Sequence, residues 1–319
     1  MKKFTKIIGG MILAGLMAVP AMATANPASP GTVNYVEGKV DLGNEALNAK
    51  SVGSTTLEPG QSLITDQGKV EMLLTPGVFV RVGDNSVMQL VSGNLTNTEV
   101  RLDKGSALVE VDEIHKDNNL LVADNGATTK LEKTGLYEFD ADKGAVMVFK
   151  GKADVREGEE HETVKSGHEV ELTAAKLKST KFDKDKYESS DLYRFSSLRS
   201  QYIGEASVDA AQDYVGAAWA PGWWWDPWFS AYTFFPGAGF MYSPFGWGWG
   251  FYSPAWIGYY GVPYGYYRGY GHLYAHGNVR SVPMHAHPSH FATGSVGFHG
   301  GGAMAFHSGG GFHGGGFHR

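Results

Sequence analysis

The chain has 319 residues, a formal net charge of −6, 42% hydrophobic residues and no cysteine. The missing thiols exclude disulfides and a cysteine-linked lipid anchor, and the mildly acidic balance lacks the electrostatic footprint of a nucleic-acid binder. Lys and Glu are interspersed and then stop. The last Lys is Lys186 and the last Glu is Glu205, whereas every Trp lies between Trp219 and Trp256.

Residues 1–25 read as a secretory signal peptide. Lys2, Lys3 and Lys6 precede an apolar run from Ile7 to Val19, and Ala21-Met22-Ala23 and Ala23-Thr24-Ala25 offer small-x-small cleavage sites. The run is shorter than the roughly 20 apolar residues of a membrane span. Cleavage would move the formal charge from −6 to −9 and leave no transmembrane span. The expected address is extracytoplasmic: periplasmic, bound to the outer envelope, or secreted. An exported chain without disulfides has to be held by its own core.

Residues 31–172 carry a period of two. Val70, Met72 and Leu74 point one way while Lys69 and Glu71 point the other, towards an expected solvated surface. The same alternation recurs at Val78, Val80 and Val82, at Val100 and Leu102, at Leu136 with Glu138, at Val146 and Val148, and at Val170 and Leu172. Turn chemistry separates these runs, as in Glu58-Pro59-Gly60, Thr75-Pro76-Gly77 and Asp142-Lys143-Gly144. Many short strands without intervening helices predict an all-β domain: a β-sandwich or roll, or a short β-solenoid. Two echoes, Glu37-Gly38-Lys39-Val40 with Lys150-Gly151-Lys152-Ala153 and Leu57 to Leu63 with Val164 to Val170, each set a glycine turn before a strand.

The order of these motifs resembles the FecR domain. It is carried by Leu57-x-x-Gly60-x-x-Leu63-x-Thr65, Val78-x-Val80-x-Val82, Asn85-Ser86-x-Met88-x-Leu90, Val146-x-Val148-x-x-Gly151-x-Ala153-x-Val155 and Val164-x-x-Gly167-x-x-Val170. The resemblance implies an extracytoplasmic FecR-like β fold. It departs from sensor members of that family, which carry a cytoplasmic anti-sigma segment and a membrane helix ahead of this domain. Thr134-Gly135-Leu136-Tyr137-Glu138-Phe139 only approximates the family's Gly-Thr-x-Phe-x-Val.

Residues 173–213 divide into a charged linker, to Lys186, and an amphipathic helix expected from about Asp191 to Asp213, capped by Ser189 or Ser190. Leu192, Phe195, Leu198, Tyr202 and Ala206 share one face, with Arg199, Gln201 and Glu205 turned away. Residues 214–280 form a Trp/Tyr/Gly/Pro-rich segment of expected low order, in which the Ser-Pro pairs at 243 and 253 argue against regular helix. Its candidate partner contacts are Trp223, Trp224, Trp225, Trp228, Trp247, Trp249 and Trp256. Such rings stack on polysaccharide, meet an envelope protein, or cluster with copies of themselves. The alternative is a patch folded back on the β domain or the helix.

Residues 281–319 read as a disordered Gly/His-rich tail. His285, His287, His290, His299, His307, His313 and His318 are candidate ligands for weak Zn, Ni or Cu binding, with no resident cofactor implied. His115, His161 and His168 sit in charged turns without a partnered nucleophile, and Asp140-Ala141-Asp142-Lys143-Gly144 reads as a hairpin turn rather than a calcium loop. The sequence therefore predicts a non-enzymatic, exported binding or scaffold protein of the cell envelope with an adhesive or self-associating tail. The alternatives are an accessory sensor in metal uptake or envelope signalling, and a His-tail metal binder.

Overall fold

The computed structural model describes residues 28–174, 176–246 and 250–262. The leader, Trp247, Trp249 and all seven candidate histidines from His285 to His318 lie outside the described residues. Fourteen strands run through the first part of the chain. They are β1 (Val33–Leu42), β2 (Glu45–Ala46), β3 (Ser62–Thr75), β4 (Val78–Val82), β5 (Val87–Asn94), β6 (Asn97–Lys104) and β7 (Ser106–Val111). There follow β8 (Asn119–Asp124), β9 (Ala127–Leu131), β10 (Gly135–Asp140), β11 (Ala145–Lys150), β12 (Lys152–Glu157), β13 (Glu160–Lys165) and β14 (His168–Glu171).

These strands and β15 (Thr180–Lys181) belong to one sheet, in the order β13-β12-β9-β8-β6-β5-β3-β4-β7-β10-β11-β14-β15, with β1 paired to β2 and β3. Every pairing in it is antiparallel except β6 with β8. The fold is all-β, and its geometry is the roll rather than the solenoid. The alternating residues of both halves, from Val70, Met72 and Leu74 to Val122, Val155 and Val170, meet in one buried cluster, so the sheet curls around a single core.

The curl depends on a bend shared by two strands. β3 pairs with β5 through Ser62–Ile64 and with β4 through Val70–Thr75, so it belongs to both halves. At the bend Gly38 of β1 faces Gly68 of β3. A Cβ on Gly68 would lie 2.6 Å from the Lys39 amide nitrogen, and one on Gly38 2.1 Å from the Gln67 carbonyl oxygen. Only two residues without side chains allow that approach.

The linker is not bare. It contributes β15 to the sheet edge and α1 (Lys184–Glu188). The expected helix is α2 (Asp191–Asp213), whose N-cap Ser190 accepts a hydrogen bond from the Tyr193 amide at 3.1 Å, with Asp191 complementing the positive helix end. Its buried face differs from the expected one. Leu198 is 59% exposed, whereas Arg199 and Glu205 are buried. The reason is the surface below, which presents carboxylates as well as apolar groups, so an arginine suits the contact better than the leucine one position earlier.

The aromatic segment is ordered within the described residues, against the low order expected. β16 (Gly222–Asp226) and β17 (Ala231–Phe235) form one hairpin, β18 (Phe240–Tyr242) pairs with β19 (Gly250–Tyr252), and α3 (Pro254–Tyr260) follows. Pro254 opens this helix instead of breaking it. Ser253 caps the Trp256 amide at 3.2 Å, and a first-turn proline has no amide to leave unpaired. Among the described residues no helix is long and apolar enough to cross a membrane.

Candidate functional site

The outward faces of β3, β4 and β7 do not meet water. Glu71, which alternation turned towards an expected solvated surface, is 0% exposed, and so are Arg81 and Glu110 beside it. Arg81 Nε donates to Glu71 Oε2 at 2.8 Å, and its Nη1 donates to Glu110 Oε2 at 2.7 Å. From α2, Arg199 Nη2 donates to Glu71 Oε1 at 2.9 Å, and the Ser200 hydroxyl donates to Glu110 Oε1 at 2.6 Å. Ser243, from the first Ser-Pro pair, adds a 2.5 Å hydrogen bond to the same oxygen. Four distant stretches of chain thus share one ionic seam.

Burial pushes Glu71 upward, but Arg199 and Arg81 together outweigh it and hold the carboxyl below its ordinary value. Asp112 lies at the end of the same row. Burial first, then the neighbouring Glu110 charge, raises its carboxyl well above the ordinary range. Arg199 is further held between the rings of Tyr35 and Tyr202, 4.2 and 4.9 Å from the guanidinium carbon.

Aromatic residues close the seam from above. Leu73 and Phe79 of the sheet, Ile203 of α2, and Tyr232, Phe234 and Phe251 of the cap form one buried cluster. Phe251 stacks on Phe79 at 6.2 Å and meets Phe234 edge-on at 5.5 Å. The open backbone edge of β17 is satisfied by side chains. Asn34 accepts from the Tyr232 amide at 2.7 Å while its own amide group donates to Glu71 at 3.0 Å, and Ser207 accepts from the Phe234 amide at 3.1 Å.

The five described tryptophans on the candidate list divide by role. Trp223 and Trp225 pack against the Phe79–Phe234 cluster, and Trp224 stacks on Phe235 at 5.6 Å while donating its indole N–H to the Ala220 carbonyl at 2.7 Å. Trp228 is exposed at a turn. Trp256 lies 5.0 Å from both Tyr252 and Tyr260. Together with Trp219, Gly239, Tyr259 and Tyr260 it lines an open cleft of about 380 Å³. Among the described residues the most exposed rings are Tyr259 (81%), Tyr260 (67%), Trp228 (59%), Tyr242 (57%) and Phe240 (42%), and of these only Trp228 was a candidate contact. A rule that ranks tryptophan first as an anchor misses the tyrosines, and three of the tryptophans it picks, Trp223, Trp224 and Trp225, are half-buried against the phenylalanines that fill the cap.

Elsewhere, Asp140 to Ala145 forms the expected β10–β11 hairpin turn, with the Lys143 amide donating to Asp140 Oδ1 at 3.0 Å. His115 is exposed and pairs with Glu113 at 3.3 Å.

No protein-family model matches the chain, and no curated protein matches it. Two crystal structures, at 1.65 and 2.50 Å resolution, of a candidate anti-sigma factor from Parabacteroides distasonis ATCC 8503 are similar to part of it. Each has 18% sequence identity and a TM-score of 0.34, over 39% of this chain and 60% of that one. The chain therefore matches less than two thirds of the length of that protein.

Proposed function

We propose that this protein is an exported, non-enzymatic binding or scaffold module of the cell envelope, FecR-like in its β domain, which meets a protein partner through its aromatic cap. The observation that carries this reading is the row of exposed rings at Phe240, Tyr242, Tyr259 and Tyr260 around the Trp256 cleft. Large apolar groups left in water on an otherwise ordered surface mark a contact, and tyrosine suits a protein interface because it combines area with a polar tip. A non-enzymatic role is supported by the enclosure of Glu71, Arg81 and Glu110, which leaves those charges out of reach of any substrate.

The test is to place a photo-crosslinking phenylalanine at position 259 in the full-length protein, expressed in the organism of origin. A discrete protein adduct that disappears when Tyr260 and Phe240 are changed to Ser supports the reading. Retention on isolated envelope polysaccharide with no protein adduct would overturn it.

A further inference from the structure

A second cavity lies away from the aromatic cap, where β10 and the β3–β4–β7 surface meet α1 and the start of α2. It measures about 270 Å³. Its walls hold more acid than base: Asp84, Asp140, Asp191 and Glu138 stand against Lys69 and Lys143. These charges are not equally engaged. Lys69 is taken up by Asp191 at 2.7 Å and Asp84 at 3.2 Å, with Glu37 at 3.8 Å behind them. Lys143 reaches back to Asp140 at 2.5 Å.

Glu138 is left over. Its side chain is 95% buried, since the residue is 5% exposed, and it lines the cavity, yet among the described residues Oε2 has no hydrogen-bond partner. A buried carboxyl without a partner is costly unless something is meant to meet it. Around it stand Tyr187, Ser106 and Ser190.

We infer that this cavity is a binding site for a small alkylammonium ion, with Glu138 as its counter-ion and the Tyr187 ring as its wall. An ammonium presents three donors, which a carboxylate and hydroxyl oxygens accept, and its charge is stabilised over an aromatic face. A metal ion fits less well, because it needs several free oxygens at once, and three of the four carboxylates are already bound to lysines. Among the described residues no group of three or more His, Cys, Asp or Glu is spaced for a metal. At about 30 Å³ per water the cavity volume suits a ligand of a few carbons and not a peptide.

The site is linked to pH. Burial first, and Asp140 second, push Glu138 up to about 7, against the smaller opposing pull of Lys143. Near neutrality the empty site is therefore partly protonated, and an arriving cation expels that proton.

The test is calorimetric titration of the full-length protein with n-butylammonium chloride, at constant ionic strength and about pH 7, in two buffers of different ionisation heat. The expected result is saturable binding with a buffer-dependent heat. Glu138→Gln, which keeps the side-chain shape and breaks no ion pair, should fold and bind at least about tenfold more weakly. Tyr187→Leu, on the exposed α1, should weaken binding by a smaller factor of about three to ten. An absence of saturable heat in the unaltered protein, a heat independent of buffer, or undiminished binding by Glu138→Gln would each overturn the assignment.

Discussion

The two faces of β3, β4 and β7 are equally dry but chemically opposite. Inside the roll, Val70, Met72, Val80 and Val109 pack in one large apolar cluster. Outside it, one residue along each strand, Glu71, Arg81 and Glu110 meet α2 and the aromatic cap. An apolar face accepts any partner of the right volume, whereas an ionic row accepts only one that supplies the complementary groups in register. The inner face thus explains why a roll forms. The outer face explains why this helix and this cap lie on it in one arrangement.

The sharpest way to break that comparison is to remove the cap. A chain ended after Gly216 loses Phe234, Phe235 and Phe251, each fully buried. At about 3–5 kcal/mol for each such ring, the loss approaches the whole stability of an ordinary domain. The truncated protein is expected to lose its cooperative urea transition and to bind a hydrophobic dye. An unchanged urea midpoint would show that the cap is an appendix and not part of the fold.

Arg81→Met probes the ionic row directly. It strands Glu71 and Glu110 without their central partner and is expected to cost about 3–5 kcal/mol. Val80→Ala, the adjacent residue on the inner face, should cost about 2 kcal/mol from lost burial and a small cavity. Urea midpoints measured side by side decide the point, and an Arg81→Met loss no larger than that of Val80→Ala would remove the distinction between the faces.

Much of the inner face was legible in the sequence. The alternation at Val70 to Leu74 and at Val78 to Val82, and the Ser190 cap of α2, follow from local periodicity and turn chemistry that need no knowledge of distant contacts. The outer face was not legible. A buried glutamate reads like a solvated one until its partners are known, and the partners of Glu71 come from residues 34, 81 and 199. The cap hid for a related reason. Its Ser-Pro pairs look alike, yet Ser243 serves a buried carboxylate and Ser253 caps a helix. Composition announced an aromatic segment but not that Trp224 and Trp225 would face inward while Tyr259 and Tyr260 face out.

A smaller effect is expected where roll and cap touch through a glycine. Gly53 has φ of +72°, and a Cβ there would lie 2.5 Å from the Trp225 ring. Gly53→Val should cost about 1–3 kcal/mol and should disturb the near-ultraviolet signal of the tryptophans more than the far-ultraviolet signal of the strands. A loss of strand signal with the tryptophan bands intact would place Gly53 in the service of the roll alone.

The smallest effect separates the two faces by pH. Asp124, at the end of β8 in the roll, is pushed up to about 7, first by burial and then by the charge of Asp140. Its ordinary value is 3.8, so between these two values the unfolded chain holds fewer protons than the folded one. Stability therefore falls as pH rises through that window and levels off above it. Glu71, held below its ordinary value, acts in the opposite sense: its contribution is present above the unfolded value and is lost as pH falls through the folded one. The roll acid favours mild acidity, and the seam acid opposes strong acidity. Asp124→Asn should leave the urea midpoint near pH 4 unchanged and raise it near pH 8, by about 1 kcal/mol or less after allowance for solvent screening. Equal shifts at both pH values would mean that Asp124 acts through its hydrogen bond to Asn125 (2.9 Å) and not through its charge.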